Sequence, residues 1–159
     1  MKKIYLTALF IVSVLFSFVA SAQNSFFTDV AESRIKMGNG KRVTVPQKYR
    51  TTEMNYESIK LFLLAVPDKS VMITDAQRAF APVLVLPMPD GSSARFKVWE
   101  ASIQEPELQA KFPEIRTYTG QGIDDPTATI RFDLNPYFGF HGQILSSTTG
   151  SIYIDPYAR

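Results

Sequence analysis

Residues 127–134 read Thr-Ala-Thr-Ile-Arg-Phe-Asp-Leu, with strict alternation of small or polar and apolar side chains. Successive side chains of a β-strand point to opposite faces of a sheet, so this period of two predicts a half-buried strand. The predicted inward set is Ala128, Ile130, Phe132 and Leu134, and the outward set is Thr127, Thr129, Arg131 and Asp133. This is the clearest β pattern in the chain, and the fold prediction starts from it.

Further strands are predicted on both sides. Asn135-Pro136 breaks the pattern, a strand follows over 138–144, and Thr149-Gly150 turns it into a last strand containing Ile152 and Ile154. Upstream, 83–88 is a continuous apolar run, as expected of a strand covered on both faces. Pro89-Asp90-Gly91-Ser92 predicts a turn, because proline presets φ and glycine accepts positive φ, so residues 95–100 return as the second strand of a hairpin. Residues 115–119 are expected to be extended, and 41–45 and 49–54 are weaker strand candidates.

Two short helices are predicted among these strands. Asn55 can cap a helix that presents Ile59, Phe62, Leu63 and Val66 on one face and stops at Pro67. The alternation from Ile59 to Ala65 also permits a strand. The second helix begins at Pro106, a residue suited to the first helical position, and ends before Pro113. The predicted fold class is therefore α+β: mainly an antiparallel β-sheet, a meander, with one or two short helices.

Residues 1–22 have the pattern of a cleavable secretory signal peptide. Lys2 and Lys3 precede an apolar run, and Ala20-Ser21-Ala22 is a small-x-small site, which predicts cleavage between Ala22 and Gln23. The apolar run is shorter than the roughly 20 residues of a membrane-spanning helix. The protein is expected to be secreted, periplasmic or on the cell surface, with no membrane association after cleavage. Residues 23–40 are predicted to be a partly disordered lead-in, and 41–159 a β-rich domain.

Charge and composition restrict the partners and the chemistry. The whole chain carries 17 Lys and Arg against 15 Asp and Glu, and removing Lys2 and Lys3 leaves a formally neutral chain. A neutral chain without a basic run gives no electrostatic footprint for nucleic acid. There is no cysteine and only one histidine, His141, predicted to lie on the face opposite Phe138 and Phe140. No His-Glu-x-x-His, Gly-x-Ser-x-Gly or phosphate-loop motif occurs, so no enzyme activity and no cofactor are predicted.

A few residues remain as candidates for contact with a partner. Asp124 and Asp125 precede Pro126 among several turn formers, and two interpretations stay open: an ordinary turn, or a carboxylate that reaches a partner, including a metal in another domain. The aromatic residues Trp99, Tyr118 and Tyr137 are predicted to be exposed interface anchors. Their alternative interpretation is that of ordinary half-buried aromatics of a sheet.

Several segments together resemble a known family. They are Pro87-Met88-Pro89-Asp90-Gly91 with Arg95-Phe96, Glu105-Pro106-Glu107-Leu108 with Lys111-Phe112-Pro113-Glu114-Ile115, the run from Gly120 to Phe132, Gly139-Phe140-His141, and Tyr153-Ile154-Asp155-Pro156-Tyr157. In order and spacing they resemble the N-terminal pro-region of secreted bacterial reprolysin-like (adamalysin-type) zinc metallopeptidases. The resemblance covers roughly residues 26–159 and is most specific from residue 86 onward.

The resemblance implies a non-catalytic pro-domain that assists folding of a protease and keeps it latent. The zinc-binding catalytic domain of the family is not in this chain, which is therefore expected to be a truncated or partial product; its partner would be a protease catalytic domain, in cis or in trans. Without cysteine, latency would use a carboxylate on the zinc, with Asp124, Asp125 and Asp155 as candidates, or steric occlusion by an extended segment. The alternative function is a free-standing exported β-rich module that binds a peptide or a glycan.

Overall fold

The computed structural model describes residues 26–36, 40–42, 45–72 and 74–158. The strands are β1 (Phe27–Asp29), β2 (Thr52–Met54), β3 (Val83–Pro87), β4 (Ser93–Glu100), β5 (Arg116–Gly122), β6 (Thr129–Asn135), β7 (Gly139–Ser146) and β8 (Gly150–Ile154). The α-helices are α1 (Tyr56–Leu64), α2 (Asp75–Ala79) and α3 (Pro106–Lys111). Single 3₁₀ turns lie at Glu32–Arg34 and Lys69–Val71.

The main element is a six-stranded antiparallel sheet, in which each strand from β3 to β8 pairs with the next along the chain. This is a meander, and the predicted α+β class with a mainly antiparallel sheet is confirmed. β1 and β2 form a separate two-stranded antiparallel sheet. The strands predicted at 127–134, 138–144 and around Ile152 correspond to β6, β7 and β8.

The inner face of the six-stranded sheet forms the core. On β6, Ile130, Phe132 and Leu134 are buried as the alternation predicted. The ring of Phe132 stacks between those of Tyr118 on β5 and Phe140 on β7, with centroid distances of 5.1 and 5.2 Å. Aromatic pairs of this kind contribute about 0.5–1.5 kcal/mol each beyond the burial of their area. The three rings therefore hold the middle three strands of the meander together.

The hairpin of β3 and β4 has the predicted turn. Gly91 adopts φ = +93°, a conformation that a side chain disfavours, and the Asp90 carboxylate accepts the backbone N–H of Ser92. The prediction that the 83–88 strand is covered on both faces is wrong. Leu84 and Leu86 are fully buried, but Val83 is 40 % exposed. The inner face of β3 packs into the core, and its outer face is not covered by a second layer.

Both predicted helices are present. The Asn55 side chain accepts the N–H of Ser58 at the start of α1, and Ile59 and Leu63 are buried against the sheet core. α3 begins at Pro106 as predicted. α2 is not among the predicted helices, although Thr74 and Gln77 form a reciprocal capping box at its start, which is a recognisable sequence signal.

Residues 26–36, which belong to the predicted lead-in at 23–40, contain β1 and a 3₁₀ turn. Phe26 and Phe27 are buried in the core, where Phe26 contacts Phe62 of α1 with a centroid distance of 5.1 Å. β1 pairs with β2, which is the part of the candidate strand at 49–54 that forms a strand. Burying two adjacent phenylalanines removes enough apolar surface from water to order this segment. Phe26 and Phe27 therefore pack with the β-rich domain predicted at 41–159.

Two other N-terminal predictions are the strand at 41–45 and the signal peptide. Lys41, Arg42 and Val45 are not in a strand, contrary to the candidate at 41–45, whose other two positions lie outside the described residues. The predicted signal peptide, with its cleavage between Ala22 and Gln23, also lies outside the described residues.

A cluster of four side chains joins the two ends of the described chain. The guanidinium of Arg42 lies over the rings of Tyr49 and Tyr157, 4.5 and 4.7 Å from their centroids. The carboxylate of Glu32 pairs with Arg42 and accepts the hydroxyls of both tyrosines. These contacts attach the segment after β8 to the segment after β1.

Substitution of Gly120 tests how closely β4 approaches β5 in the meander. A Cβ added there would lie 2.7 Å from the Lys97 carbonyl oxygen and 2.8 Å from Cγ1 of Val98. We expect Gly120→Ala to lower the free energy of unfolding by about 1–3 kcal/mol, because β4 would have to move. Urea unfolding followed by circular dichroism measures this. Thr129→Ala, at an exposed strand position, is the control, and equal stabilities of the two variants would contradict the close approach.

Phe26 tests whether the N-terminal segment belongs to the core. We expect Phe26→Ala to cost about 3 kcal/mol of unfolding free energy, since a buried aromatic side chain is removed. Tyr137→Ala, at an 82 % exposed position, should change stability by less than about 0.5 kcal/mol. Thermal unfolding of both variants gives the comparison; a loss below 1 kcal/mol for Phe26→Ala would mean that this segment is not docked.

Candidate functional site: a polar trough on the outer face of the sheet

The outer face of the six-stranded sheet is polar because the alternating pattern sends one side chain in two away from the core. The register of the strands places these side chains in cross-strand rows. We call two of them the central row and the acidic row. The central row is Trp99, Thr119, Arg131, Gln143 and Tyr153. The acidic row is Thr117, Asp133 and His141, with Asp155 just after β8.

A trough of about 1010 Å³ lies over these two rows. Its floor is the sheet, and side chains of α2 and the loop at Ala101–Ile103 line it as well. Pockets for small molecules usually measure about 300–1,000 Å³, so this space is at the upper end of that range.

The predicted exposure of two aromatic residues is wrong. Trp99 is on the outer face but only 8 % exposed, because it lines the trough wall with the Arg78 guanidinium 5.7 Å from its ring centroid. Tyr118 is 5 % exposed and stacks on Phe132 in the core, and burial raises the pKa of its hydroxyl to about 12. Tyr137 is exposed as predicted, in the turn between β6 and β7. Contact of any of the three with a partner stays a prediction.

Asp124 and Asp125 are both engaged inside the chain. Asp124 accepts hydrogen bonds from Nη2 and Nε of the Arg95 guanidinium at 2.6 and 3.0 Å and from the Arg95 backbone N–H at 2.9 Å, and these bonds lower the pKa of its carboxyl. Asp125 accepts the hydroxyls of Ser146 and Thr127 at 2.6 and 2.7 Å, which lowers its pKa to about 2. The two side chains fasten the β5–β6 loop to β4 and to the end of β7. The geometry is that of the turn interpretation, and neither carboxylate lines the trough.

The trough contains charged groups that the described residues do not fully neutralise. Arg131 and Asp133 lie two residues apart on β6, and the guanidinium of Arg131 makes no ion pair or hydrogen bond with any described residue. The nearest ionisable partner of the Asp133 carboxylate is Nδ1 of His141, 3.7 Å away, which is too far for a hydrogen bond. Burial raises the pKa of the Asp133 carboxyl, and His141 opposes that shift. Asp133 is therefore a half-buried carboxylate with one weak partner.

The neutral polar groups of the floor, by contrast, have partners in the chain. The hydroxyls of Thr117 and Thr119 donate to the carbonyl oxygens of Ala101 and Ile130 at 2.8 and 3.0 Å. The Gln121 amide donates to Pro126 and Ala128 carbonyl oxygens, and the Gln143 amide donates to the Tyr153 hydroxyl. The groups left to bind a ligand in the trough are therefore mainly the charged side chains.

Three of the sequence-based candidates, Trp99, Tyr118 and Asp155, line this site, whereas Asp124, Asp125 and Tyr137 do not. Arg131 and Asp133 are predicted to face outward, and His141 to lie opposite Phe138 and Phe140, but nothing in the linear sequence joins these three residues into one surface. The period-two pattern was the usable signal, and the strand register was the missing information. In the described ranges, no three His, Asp or Glu side chains are close enough to hold a metal ion. Within the same residues, no helix is long and apolar enough to cross a bilayer.

The loop carboxylate Asp125 generates a prediction about pH. Its folded pKa of about 2 lies below the ordinary value of 3.8, so its contribution to stability is present above about pH 4 and is lost as the pH falls toward 2. We expect Asp125→Asn to be less stable than the wild type at pH 6 and the difference to shrink by pH 2.5. Urea midpoints across this range measure it. Glu53→Gln, at an exposed acid on β2, is the control; a difference that is constant with pH would contradict the assignment.

Comparison of the chain with models of protein families, with curated proteins and with solved structures found no match. Its function is therefore inferred from its own residues and geometry.

Proposed function

We propose that this chain is the non-catalytic pro-domain of a secreted zinc metallopeptidase, which assists folding of the catalytic domain and keeps it latent. The observation that carries the proposal is the position of the resembling residues. From residue 86 onward, they occupy the hairpin turn, α3, and strands β4 to β8. The resemblance therefore coincides with one folded sheet and not with a single short motif.

Several of the resembling residues form a turn, a close backbone contact or an ion pair of that sheet. Gly91 supplies the positive φ of the hairpin turn. A Cβ at Gly122 would lie 2.3 Å from the Asp125 carbonyl oxygen, so only glycine fits that position. Asp124 holds Arg95, and both belong to the resembling segments. Such residues are expected to recur in proteins that share this fold, which supports a relationship of the whole domain.

Steric occlusion is the mode of latency that we propose. A carboxylate on the partner's zinc would have to leave its present bonds, and Asp124 and Asp125 are held by Arg95 and by Ser146 with Thr127. Asp155 lies at the trough and has an interaction of its own. An open trough of about 1010 Å³ provides a surface on which a segment of the catalytic domain can be held without chemistry at the zinc.

A second candidate is a free-standing exported module that binds a peptide or glycan. The same trough favours it, because Tyr153 presents an exposed ring beside charged and amide side chains. A module of this kind needs no protease partner. Its ligand would bind the purified chain directly, with no effect on any peptidase.

Titration into a protease tests the first candidate. We expect the chain, added to a purified reprolysin-like zinc peptidase, to reduce hydrolysis of a fluorogenic peptide in a saturable manner, and to raise the yield when that catalytic domain is refolded. A thermolysin-like peptidase serves as the specificity control. Absence of both effects at about 100 µM chain, together with binding on a peptide or glycan array, would favour the second candidate.

The coding sequence provides a separate test of action in cis. Reading frames beyond the codon for Arg159 should continue into His-Glu-x-x-His-x-x-Gly-x-x-His. The catalytic domain encoded there would then be the matched partner for the titration. A stop codon with no such motif downstream in any frame would contradict the in-cis arrangement.

A further inference from the structure

We infer that the trough binds an extended peptide segment that presents one basic and one acidic side chain two residues apart. The inference deepens the proposed function, since it rests on that function for the source of the segment, the catalytic domain. The chemistry of recognition rests on the trough alone.

The spacing of the unpaired charges favours an extended ligand. Arg131 and Asp133 are at alternate positions of β6 and project from the same face of the sheet. Alternate residues of a strand are about 6.5–7 Å apart. An extended peptide lying along β6 has the same repeat, so its side chains at alternate positions can meet Asp133 and Arg131 together. A helical ligand has no such repeat, because side chains two apart on a helix face different directions.

The electrostatics favour charges of both signs in the ligand. Burial disfavours the ionised form of the Asp133 carboxyl, whose single partner, His141, is 3.7 Å away. A guanidinium or ammonium group of a ligand in the trough would stabilise that ionised form. Arg131 has no partner in the described residues, and Lys97, which also lines the trough, has none there either. An acidic side chain of the ligand would meet Arg131. Charge complementarity of this kind fixes the register and orientation of a bound segment.

The neutral groups on the floor argue against a glycan. The neutral donors that a sugar could use are engaged, because the hydroxyls of Thr117 and Thr119 and the Gln121 amide donate to backbone carbonyls of this chain. A glycan that used these donors would have to displace their bonds, and its neutral hydroxyls would bring no opposite charge to Arg131 and Asp133. A charged peptide uses the groups that are unpaired and leaves the others as they are.

The test uses the purified chain and a defined probe, acetyl-Thr-Arg-Thr-Glu-Thr-amide, at low ionic strength. Its uncharged twin is acetyl-Thr-Gln-Thr-Gln-Thr-amide. We expect calorimetric titration to show saturable binding of the charged peptide, with the twin at least five-fold weaker, and amide NMR shifts concentrated on β5, β6 and β7. Equal affinity for the two peptides, or shifts confined to α1 or to the β6–β7 turn, would overturn the inference.

Two variants and a control test whether Asp133 and Arg131 bind the peptide. Asp133→Asn and Arg131→Gln should each weaken binding of the charged peptide by about three- to ten-fold, as expected for loss of one partly buried charge contact. Glu53→Gln, an acid on β2 away from the trough, should leave affinity unchanged. Arg131 is exposed, so its variant keeps the test valid if Asp133→Asn does not fold. An unchanged affinity for Arg131→Gln would overturn the inference.

The same variants separate this inference from the proposed function. If the wild-type chain inhibits the peptidase and Arg131→Gln and Asp133→Asn inhibit equally well, the trough inference is wrong and the pro-domain function stands. If the charged peptide binds in the trough but the chain neither inhibits nor assists the peptidase, the trough inference stands and the pro-domain function is wrong.

Discussion

The stack of Tyr118, Phe132 and Phe140 determines the register of the middle three strands, and the rest of the structure depends on that register. Its rings lie 5.1 and 5.2 Å apart at the centre of the inner face. A slip of one residue would send every core side chain of a strand to the solvent side. The register that pairs the inner-face residues of neighbouring strands also pairs their outer-face residues. Asp133 and His141 are cross-strand neighbours in the trough for that reason.

Short side-chain contacts in the loops reinforce this arrangement. Asp124 and Asp125 fix the β5–β6 loop to β4 and β7, and Gly120 lets β4 approach β5 closely. At the other end, Phe26 and Phe27 add an N-terminal segment to the core, and the cluster around Arg42 attaches it to Tyr157. The outer face of the sheet takes part in none of these core contacts. The inner face forms the core, and the outer face remains available as a binding surface. The proposed pro-domain role requires such a surface.

The candidate site was less accessible to sequence reasoning than the fold. Asp124 and Asp125 stood out because two adjacent acids before a proline are conspicuous, yet their carboxylates are engaged in fastening a loop. Trp99 and Tyr118 are buried for different reasons, one covered by Arg78 and one packed in the core, and the sequence pattern does not distinguish a solvent face from a covered one. Arg131, Asp133 and His141 are unremarkable in the sequence, and only the pairing of β6 with β7 brings the last two together.

The sequence by itself determined the local elements: the meander strands, the Gly91 turn, the Asn55-capped helix and the polar outer side of β6. These follow from side-chain period, capping and backbone preference, which act over a few residues. Only the tertiary structure decided that Phe26 and Phe27 join the core, that α2 forms beside the trough, and which charges meet across the outer face. Those outcomes depend on contacts between residues distant in the chain, through strand register and competition for buried apolar surface, and no short window of sequence contains that information.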